Sequence, residues 1–350
     1  MSIEAVAKQA GVSVATVSRA FNLPDQVAPA TRERVQAVAR ALGYAANSSA
    51  RTLRTQKSRV IGVVLPSLLN PVFAECLDGM AQAASAAGYA IMPLTTQYQI
   101  AAEQQAVRSL LASNVDGLAL VVSNPAKSAS LAQLKTNATP YVLAYNQHAA
   151  HPCVGVDGER AVAQTVARLH GLGHTQIAML SGHRSASDRA RQRVRGYQRG
   201  MKAVGLGAPR LLEVPFVETA AHEIAIFLQT RPRPTAVVCS NDLIALRCLR
   251  AAWLCGLRVP EQLSVIGFDG IALGQDLAPQ LTTIAQPNAE IGRLCLQLLT
   301  DALAQGTAPQ PSASITLAHT WRAGESCAAP PPQIVPARCL VPSHQPGVIP

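Results

Sequence analysis

The sequence predicts a small all-helical domain that carries a helix-turn-helix, followed by a two-lobed α/β domain with doubly wound parallel sheets. Residues 1–45 contain three short helical patterns, with a glycine-containing turn between the first two. From Val60 onward, apolar strand-like runs alternate with longer helical stretches, which is typical of parallel sheets covered on both faces. At 350 residues, the chain is also too long for one typical core.

The N-terminal domain is predicted from its helix starts and stops. A first helix over about 3–10 ends at Gly11, a residue that commonly terminates helices. Ser13 is the expected N-cap of a second helix over 14–21, and an amphipathic third helix begins at Thr31. The apolar positions expected to face the core are Val17, Val35, Val38 and Leu42.

Positive charge is concentrated at the N-terminal end. Residues 1–59 hold nine basic and three acidic residues, so they carry +6 of the net charge of +10. A small basic domain attached to a nearly balanced larger protein indicates a polyanionic partner. Within this segment, residues 47–59 are polar and basic with little to bury, which predicts a linker or a helix that forms only on binding.

The α/β part is predicted to form two lobes. Ten strand-like runs over about 260 residues suit two parallel sheets better than one. Ligands of open α/β sheets bind beyond the carboxyl ends of the strands, so the cleft between two lobes is the expected site. The last predicted strand covers 312–319, and the proline-rich segment 323–350 is predicted to be a disordered tail.

The remaining composition argues against several classes of protein. The eight cysteines are scattered without a CxxC motif, which favours buried, reduced thiols. No apolar run reaches the roughly 18–20 residues of a membrane span, and there is no signal peptide, so we expect a cytoplasmic protein without membrane contact. There is no P-loop, nucleophile elbow or metal-ligand cluster, so no enzyme activity, cofactor or metal is predicted. His183, Ser185 and Asp188 are close in sequence, which is not triad geometry.

Several ordered blocks resemble the LacI/GalR family of bacterial transcription regulators. They include "VAKQAGVSVATVSRAFN", "TRERVQAVARALGY", "IGVVLPSLLNPVF", "HGLGHTQIAMLSG", "RVRGYQRGM", "PTAVVCSND" and "LSVIGFDG", and the resemblance extends to about residue 322. It implies a helix-turn-helix domain joined to a periplasmic-binding-protein-like effector domain. The implied domains are 1–46 for DNA binding, 47–58 for a hinge helix, 59–322 for effector binding and dimerisation (one lobe 59–157 and 285–311, the other 158–284 and 312–322) and 323–350 for the tail.

The resemblance assigns DNA contacts to the second helix. Val14, Ala15 and Arg19 match base-reading positions, where arginine pairs with guanine and the small apolar residues offer methyl contacts. The implied phosphate contacts are Ser13, Thr16, Ser18 and Asn22. The alternatives are plain helix surface for Thr16 and Ser18 and a solvated charge for Arg19. The implied hinge residues are Asn47 as a cap, Ala50 at a close hinge–hinge approach and Leu53 as a minor-groove wedge.

The same resemblance assigns an effector site. Arg193, Asn241 and Asp269 occupy ligand positions, and a guanidinium, an amide and a carboxylate suit a polyhydroxyl ligand. The other implied residues are Ser67, Asn70 and Phe73, with Asp157, Arg191 and Phe216 as weaker candidates. Phe73 can instead be a core residue. The arginine run over 189–199 is either a solvated helix face or a sign that Arg191 helps to bind an anionic effector, such as a sugar acid of the gluconate type.

The resulting prediction is a homodimeric repressor that binds a near-palindromic operator and responds allosterically to a sugar or sugar acid. The alternative is a sugar solute-binding protein of the same core fold without DNA function. The basic N-terminal domain counts against that alternative. The sequence also departs from the family at "GFDG", which has Gly270 where a second acidic residue is common.

Overall fold

The computed structural model describes residues 2–44 and 57–331, and only the backbone of Asn22. The predicted hinge residues Asn47, Ala50 and Leu53 and the segment 332–350 therefore lie outside the described residues.

The N-terminal domain contains the predicted helices α1 (Ile3–Ala10), α2 (Val14–Asn22) and α3 (Pro29–Ala41). The side chain of Ser2 caps α1, which ends at Gly11 in the left-handed conformation with φ +63°. The third helix begins two residues before the expected start, because a proline is well suited to the first position of a helix.

A small apolar core holds these three helices together. Val6, Val17 and Val35, one from each helix, are fully buried in it. Val38 and Leu42 pack against the same core and are partly exposed. The predicted inward faces of α2 and α3 are therefore confirmed.

The first sheet has the strand order β11-β5-β4-β3-β1-β2. Its strands are β1 (Val60–Leu65), β2 (Ala90–Thr95), β3 (Gly117–Leu120), β4 (Tyr141–Ala144), β5 (Cys153–Val156) and β11 (Ile315–Leu317). The pairs formed by the first five strands are parallel. The helices that accompany these strands in sequence are α4 (Pro71–Ala86), α5 (Ile100–Ala112), α6 (Ala129–Thr136) and α11 (Asn288–Ala304).

The second sheet has the order β12-β10-β9-β8-β6-β7. Its strands are β6 (Ile177–Gly182), β7 (Arg210–Val214), β8 (Ala236–Cys239), β9 (Ser264–Asp269), β10 (Thr282–Ala285) and β12 (Thr320–Arg322). All pairs are parallel except that of β12 with β10. The accompanying helices are α7 (Gly158–Gly171), α8 (Asp188–Ala203), α9 (Ala221–Gln229) and α10 (Asp242–Leu254).

Strand β8 shows why these strands are apolar throughout. Val237 and Cys239 enter one core of the second sheet, whereas Ala236 and Val238 enter the core on the other face. Successive side chains of a strand point to opposite faces, so a sheet covered on both sides needs apolar residues at every position.

The chain forms two compact units. Of the described residues, the first unit contains those up to Leu68, Glu75–Val154 and Ala289–Ile315, and the second contains Leu69–Ala74, Gly155–Asn288 and those from Thr316 onward. The strand predicted over 312–319 corresponds to the shorter β11 of the first sheet, and β12 of the second sheet follows directly after it. The sequence pattern does not reveal that the chain passes from one sheet to the other between these two strands.

The predicted disordered tail begins too early at residue 323. Ser326 is fully buried, and its hydroxyl donates to the Val265 carbonyl while accepting from the Thr282 amide. Gly324 allows this approach, since a Cβ there would lie only 2.6 Å from the Gln280 carbonyl oxygen. The proline-rich composition concealed a segment whose small residues dock against strand backbone.

The cysteines resolved in the described residues are free thiols, and most of them are buried, as the sequence predicts. Burial raises the pKa of Cys76 to about 12, so its thiol stays protonated. None of the described helices combines the length and the apolar composition needed to span a membrane.

Candidate functional site

The first candidate site is the exposed face of α2. The Ser13 hydroxyl accepts from the Thr16 amide at 3.1 Å, and the two hydroxyl oxygens are 2.9 Å apart. This cap fixes the start of the helix. Val14, Ala15 and Arg19 are exposed, and Val14 is 42% exposed despite its apolar side chain. Arg19 lies four residues after Ala15, so these two side chains are neighbours on one face of the helix, and Val14 immediately precedes Ala15 at the helix start.

The opposite side of α2 holds the helix in the domain. Val17 and Ala20 are buried, while Thr16 and Ser18 are intermediate in exposure. Three of the four predicted phosphate-contact residues, Ser13, Thr16 and Ser18, therefore lie around the exposed face. The structure does not describe the side chain of the fourth, Asn22. The helix presents polar hydroxyls beside small apolar side chains and one arginine.

The second candidate site is centred on Arg193 and Asp269 in the second unit. Arg193 Nη2 lies 3.3 Å from Asp269 Oδ1, and both side chains are less than 10% exposed. The Arg193 guanidinium also donates to the Ser240 carbonyl and lies over the Phe268 ring at 3.6 Å from its centroid. This stacking and pairing fix the orientation of a buried charge.

Burial and the neighbouring charge have opposite effects on the pKa values of this pair. Burial lowers the pKa of Arg193, and the nearby Asp269 carboxylate works against that shift. Burial raises the pKa of Asp269 to about 6, against the opposing charges of Arg193 and Arg189. A carboxyl with a pKa near the physiological range is often found where a protein binds a ligand.

The backbone around Asp269 is held in an unusual conformation. Asp269 ends β9 with φ +117°, and Gly270 follows with φ +77°. Gln286 Nε2 donates to Asp269 Oδ1 at 2.9 Å, and Asn288 Nδ2 donates to the Asp269 carbonyl at 3.2 Å. The side chain of Asn70 also hydrogen-bonds to the Asp269 carboxylate. The carboxylate is therefore positioned by several polar groups at once.

Asp242 is a central residue of this site that sequence reasoning missed. It is fully buried at the start of α10, and its Oδ2 accepts from the Gly270 and Ile271 amides, both at 2.8 Å. Its Oδ1 accepts from the Thr283 hydroxyl at 2.6 Å. Burial, and then the charge of Asp269, raise the pKa of Asp242 to about 7. Asp242 thus holds the turn that carries Asp269.

Two predicted ligand residues cap helices. Asn241 Oδ1 accepts from the Ile244 amide at 2.8 Å at the start of α10, and Asp157 Oδ1 accepts from the Arg160 amide at 2.8 Å at the start of α7. Each follows a parallel strand, β8 or β5, where open α/β sheets place their ligand groups. Capping occupies one side-chain oxygen of each residue.

The predicted first-lobe residues separate into two groups. Asn70 and Phe73 are buried within the second unit, and the Arg189 guanidinium lies 6.0 Å from the centre of the Phe73 ring. Ser67 is fully buried in the first unit. Phe73 is therefore both a packed residue and a neighbour of the arginines of α8.

The arginine run on α8 is divided between two environments. Arg189, at 3.2 Å from Asp188, is buried like Arg193 four residues later on the same helix face. Arg195 and Arg199 are exposed and pair with Glu159. The solvated-face interpretation is right for the exposed pair and wrong for the buried one.

The two weaker candidates on this side make local contacts. Arg191 donates to the Arg184 carbonyl, and burial lowers its pKa. The Phe216 ring packs on Gly182, where a Cβ would lie 2.0 Å from a ring carbon. Arg189 is the second guanidinium whose charge acts on Asp269, a position that helical spacing from Arg193 could have indicated.

Comparison with known proteins identifies the family. The family model described as "Bacterial regulatory proteins, lacI family" matches residues 2–47, and the model described as "Periplasmic binding protein-like domain" matches residues 166–327. The HTH-type transcriptional repressor CytR of Escherichia coli (strain K12) is 34% identical over 308 residues, which cover 85% of this chain and 88% of CytR. This chain belongs to the lacI family. Catabolite control protein A of Priestia megaterium is 32% identical over 305 residues, covering 86% of this chain and 92% of that protein.

Solved structures of transcription regulators have a similar fold. A crystal structure of the lac repressor dimer bound to operator and the anti-inducer ONPF has a TM-score of 0.83 and 27% identity, covering 94% of this chain and 99% of that chain. A complex of the transcriptional regulator CelR with cellobiose has a TM-score of 0.68 and 25% identity, covering 93% and 99%. The predicted family and fold class are confirmed, and this lacI-family chain is a DNA-binding transcription regulator. CytR is an HTH-type transcriptional repressor.

Proposed function

We propose that this lacI-family protein is a cytoplasmic repressor whose affinity for operator DNA is controlled by a small polyhydroxyl effector. One observation carries the proposal. The chain combines an exposed reading face on α2 with a buried arginine–carboxylate site in its second unit. An operator-binding assay with and without ligand tests the combination, because a solute-binding protein of the same fold would show no operator affinity.

On DNA, Val14, Ala15 and Arg19 are the proposed base readers. The exposure of all three supports this role, as does the slim N-terminal turn of α2, which can approach base edges closely. The proposed phosphate contacts are Ser13, Thr16, Ser18 and Asn22, with Asn47, Ala50 and Leu53 as the hinge residues. A near-palindromic operator matches a two-fold symmetric dimer.

The effector is an uncharged sugar rather than a sugar acid. Arg193 is paired with Asp269, and Arg189 with Asp188. An anionic ligand would therefore compete with carboxylates already present, whereas hydroxyl groups can donate to Asp269 and accept from Arg193 at the same time. The other proposed contacts are Ser67, Asn70, Phe73 and Asn241, with Asp157, Arg191 and Phe216 nearby.

A thermal-shift screen of neutral sugars against the corresponding sugar acids tests the effector class. We expect a neutral sugar to raise the melting temperature of the wild type and to leave Arg193→Lys unchanged. Lysine retains the charge beside Asp269 but lacks the planar fork that binds neighbouring hydroxyls. A larger shift with the acid than with its neutral sugar would contradict the proposed class.

The proposed partner in solution is a second copy of this chain. Ile226 on α9 and Trp253 and Leu254 on α10 are exposed, with Trp253 at 67%, and the two helices contact each other. Soluble monomers rarely expose clustered large apolar side chains. The lac repressor, to which the chain is similar, was crystallised as a dimer.

Sedimentation of Trp253→Glu tests the dimer. We expect this variant to be monomeric at concentrations at which the wild type is dimeric, because a charge would have to be buried in the interface. Leu172→Glu is the matched control, since Leu172 is exposed at the end of α7, away from α9 and α10 in the sequence. An unchanged dimer in Trp253→Glu would contradict this surface.

A further inference from the structure

A second cavity lies in the second unit, apart from the Arg193–Asp269 site. It measures about 360 Å³ and is lined by α7, β10 and β12, and we name it the Trp321 cavity. Its lining residues are Ala161, Gln164, Thr165, Arg168, Ile284, His319 and Trp321. The volume falls within the roughly 300–1,000 Å³ of small-molecule sites. None of the residues that surround Arg193 and Asp269 lines it.

One face of α7 forms a wall of the cavity. Ala161, Gln164, Thr165 and Arg168 follow the helical spacing of three and four residues, so they lie along one stripe. Ala161 and Thr165 are buried, and the Thr165 hydroxyl donates to the Ala161 carbonyl. Gln164 and Arg168 are exposed at the opening. The cavity therefore has a closed base and a polar entrance.

Arg168 and Trp321 provide the recognition chemistry. The guanidinium carbon lies 4.6 Å from the centre of the indole ring, so cation–π attraction orients it. Within residues 2–44 and 57–331, Arg168 forms no ion pair, unlike Arg195 and Arg199, which share Glu159. The cavity thus presents an oriented cation that lacks a carboxylate.

The remaining lining adds neutral hydrogen-bonding groups and an apolar surface. His319 Nε2 lies 3.1 Å from Gln164 Oε1, and burial lowers the pKa of His319, so the imidazole is neutral at neutral pH. Ile284 and Ala161 are buried apolar residues beside the Trp321 ring. No acidic residue lines the cavity.

We propose that the Trp321 cavity binds a small aromatic carboxylate. The carboxylate pairs with the Arg168 guanidinium, which accommodates two oxygens in one plane. The aromatic ring packs against Trp321 and Ile284, and Gln164 and His319 provide hydrogen bonds at the entrance. This site is independent of the proposed sugar site, since it uses a different set of residues in the same unit.

The two tryptophans of the chain make a direct test available. Trp253→Phe leaves Trp321 as the single tryptophan, so its fluorescence reports on the cavity alone. The probes are benzoate, its neutral analogue benzamide, and acetate, which lacks the ring. We expect a saturable change with benzoate at a dissociation constant of about 1 mM or lower, and at least tenfold weaker binding of the other two probes.

Variants in the Trp253→Phe background assign the site. Arg168→Gln should weaken benzoate binding by about tenfold or more, because it removes a charged hydrogen-bond donor, and Arg168→Lys should restore part of it. Arg59→Gln is the matched control: Arg59 lies 5.0 Å from the centre of the Tyr89 ring in the same kind of contact, outside the cavity. It should leave benzoate binding unchanged, as should Arg193→Lys.

Several results would overturn the proposal. Equal binding of benzoate and benzamide would show that the carboxylate charge does not contribute to binding. Equal binding of benzoate and acetate would show that the aromatic ring does not contribute. Loss of binding in Arg193→Lys but not in Arg168→Gln would place benzoate at the other site. The absence of a saturable change with benzoate, in a protein whose melting curve is cooperative, would exclude this ligand class.

Discussion

The exposed face of α2, for which we propose a DNA-reading role, and the Arg193–Asp269 site, for which we propose ligand binding, are opposite environments for side chains. On α2, Val14, Ala15 and Arg19 are exposed, and other residues of the domain form its core. In the second unit, Arg193 and Asp269 are buried and are held by stacking, ion pairing and backbone hydrogen bonds. The proposed reading face can therefore change without affecting folding, whereas the proposed ligand site is itself part of the folded core.

The largest expected effect is on stability in Arg193→Ala. The substitution leaves the buried Asp269 carboxylate without its guanidinium, which costs about 3–5 kcal/mol of unfolding free energy for a broken buried pair. Urea denaturation followed by circular dichroism measures it. A loss below about 1 kcal/mol would show that the ligand site is not part of the core, and the comparison would fail.

The pH dependence of stability also tests whether the proposed ligand site is part of the folded core. Asp242 has a folded pKa of about 7, above its ordinary value of 3.8, so the folded state retains a proton that the unfolded state releases. Its contribution to stability is complete below about pH 4 and is lost as the pH rises through about 7, at up to about 1.4 kcal/mol per pH unit.

Asp242→Asn is the variant that isolates this group. It should be less stable at low pH, because the asparagine oxygen can still accept from the Gly270 and Ile271 amides but its NH2 group cannot accept from the Thr283 hydroxyl. Its unfolding free energy should fall less steeply than that of the wild type between about pH 4 and 7. Parallel profiles for the two proteins would assign the pH dependence to other groups.

The two regions differ in how much of their structure could be predicted from the sequence. Ser13 and Gly11 mark the ends of neighbouring helices by local chemistry, so α1 and α2 were predictable. Asp242 was not, because the amides it binds are 28 and 29 residues away and come close only through the pairing of β8 with β9. The sequence of helix α6 also carries no clear amphipathic signal.

Arg189 and residues 324–328 show two further limits. Arg189 lies four residues before Arg193, so helical spacing predicts that both share a face, but the run of arginines concealed which face is buried. The Gly324–Ser326 segment was hidden by the prolines that follow it from Pro330 onward. Composition describes a stretch as a whole, whereas docking depends on single small residues.

A moderate effect is expected at Arg19. Arg19→Ala should weaken specific operator binding by about 1–3 kcal/mol while changing the unfolding free energy by less than about 0.5 kcal/mol. Fluorescence anisotropy at fixed salt measures binding, and random DNA is the comparison ligand. An equal loss on operator and random DNA would make Arg19 a phosphate contact.

The smallest effect is expected at Arg195, the matched control for Arg193. Arg195 is exposed, lies two residues further along α8 and pairs with Glu159 at 3.0 Å, a partner that it shares with Arg199. Arg195→Ala should cost less than about 1 kcal/mol of stability and should not change ligand binding. A loss comparable to that of Arg193→Ala would remove the distinction between buried and exposed arginines.

The central claim is that one set of residues reads operator DNA and another set makes that reading respond to a ligand. The most direct measurement is the operator dissociation constant of the wild type, Arg19→Ala and Arg193→Lys, each with and without the sugar identified by thermal shift. We predict that Arg193→Lys binds operator like the ligand-free wild type and does not respond to the sugar. A sugar-induced change in Arg193→Lys equal to that of the wild type would contradict the claim.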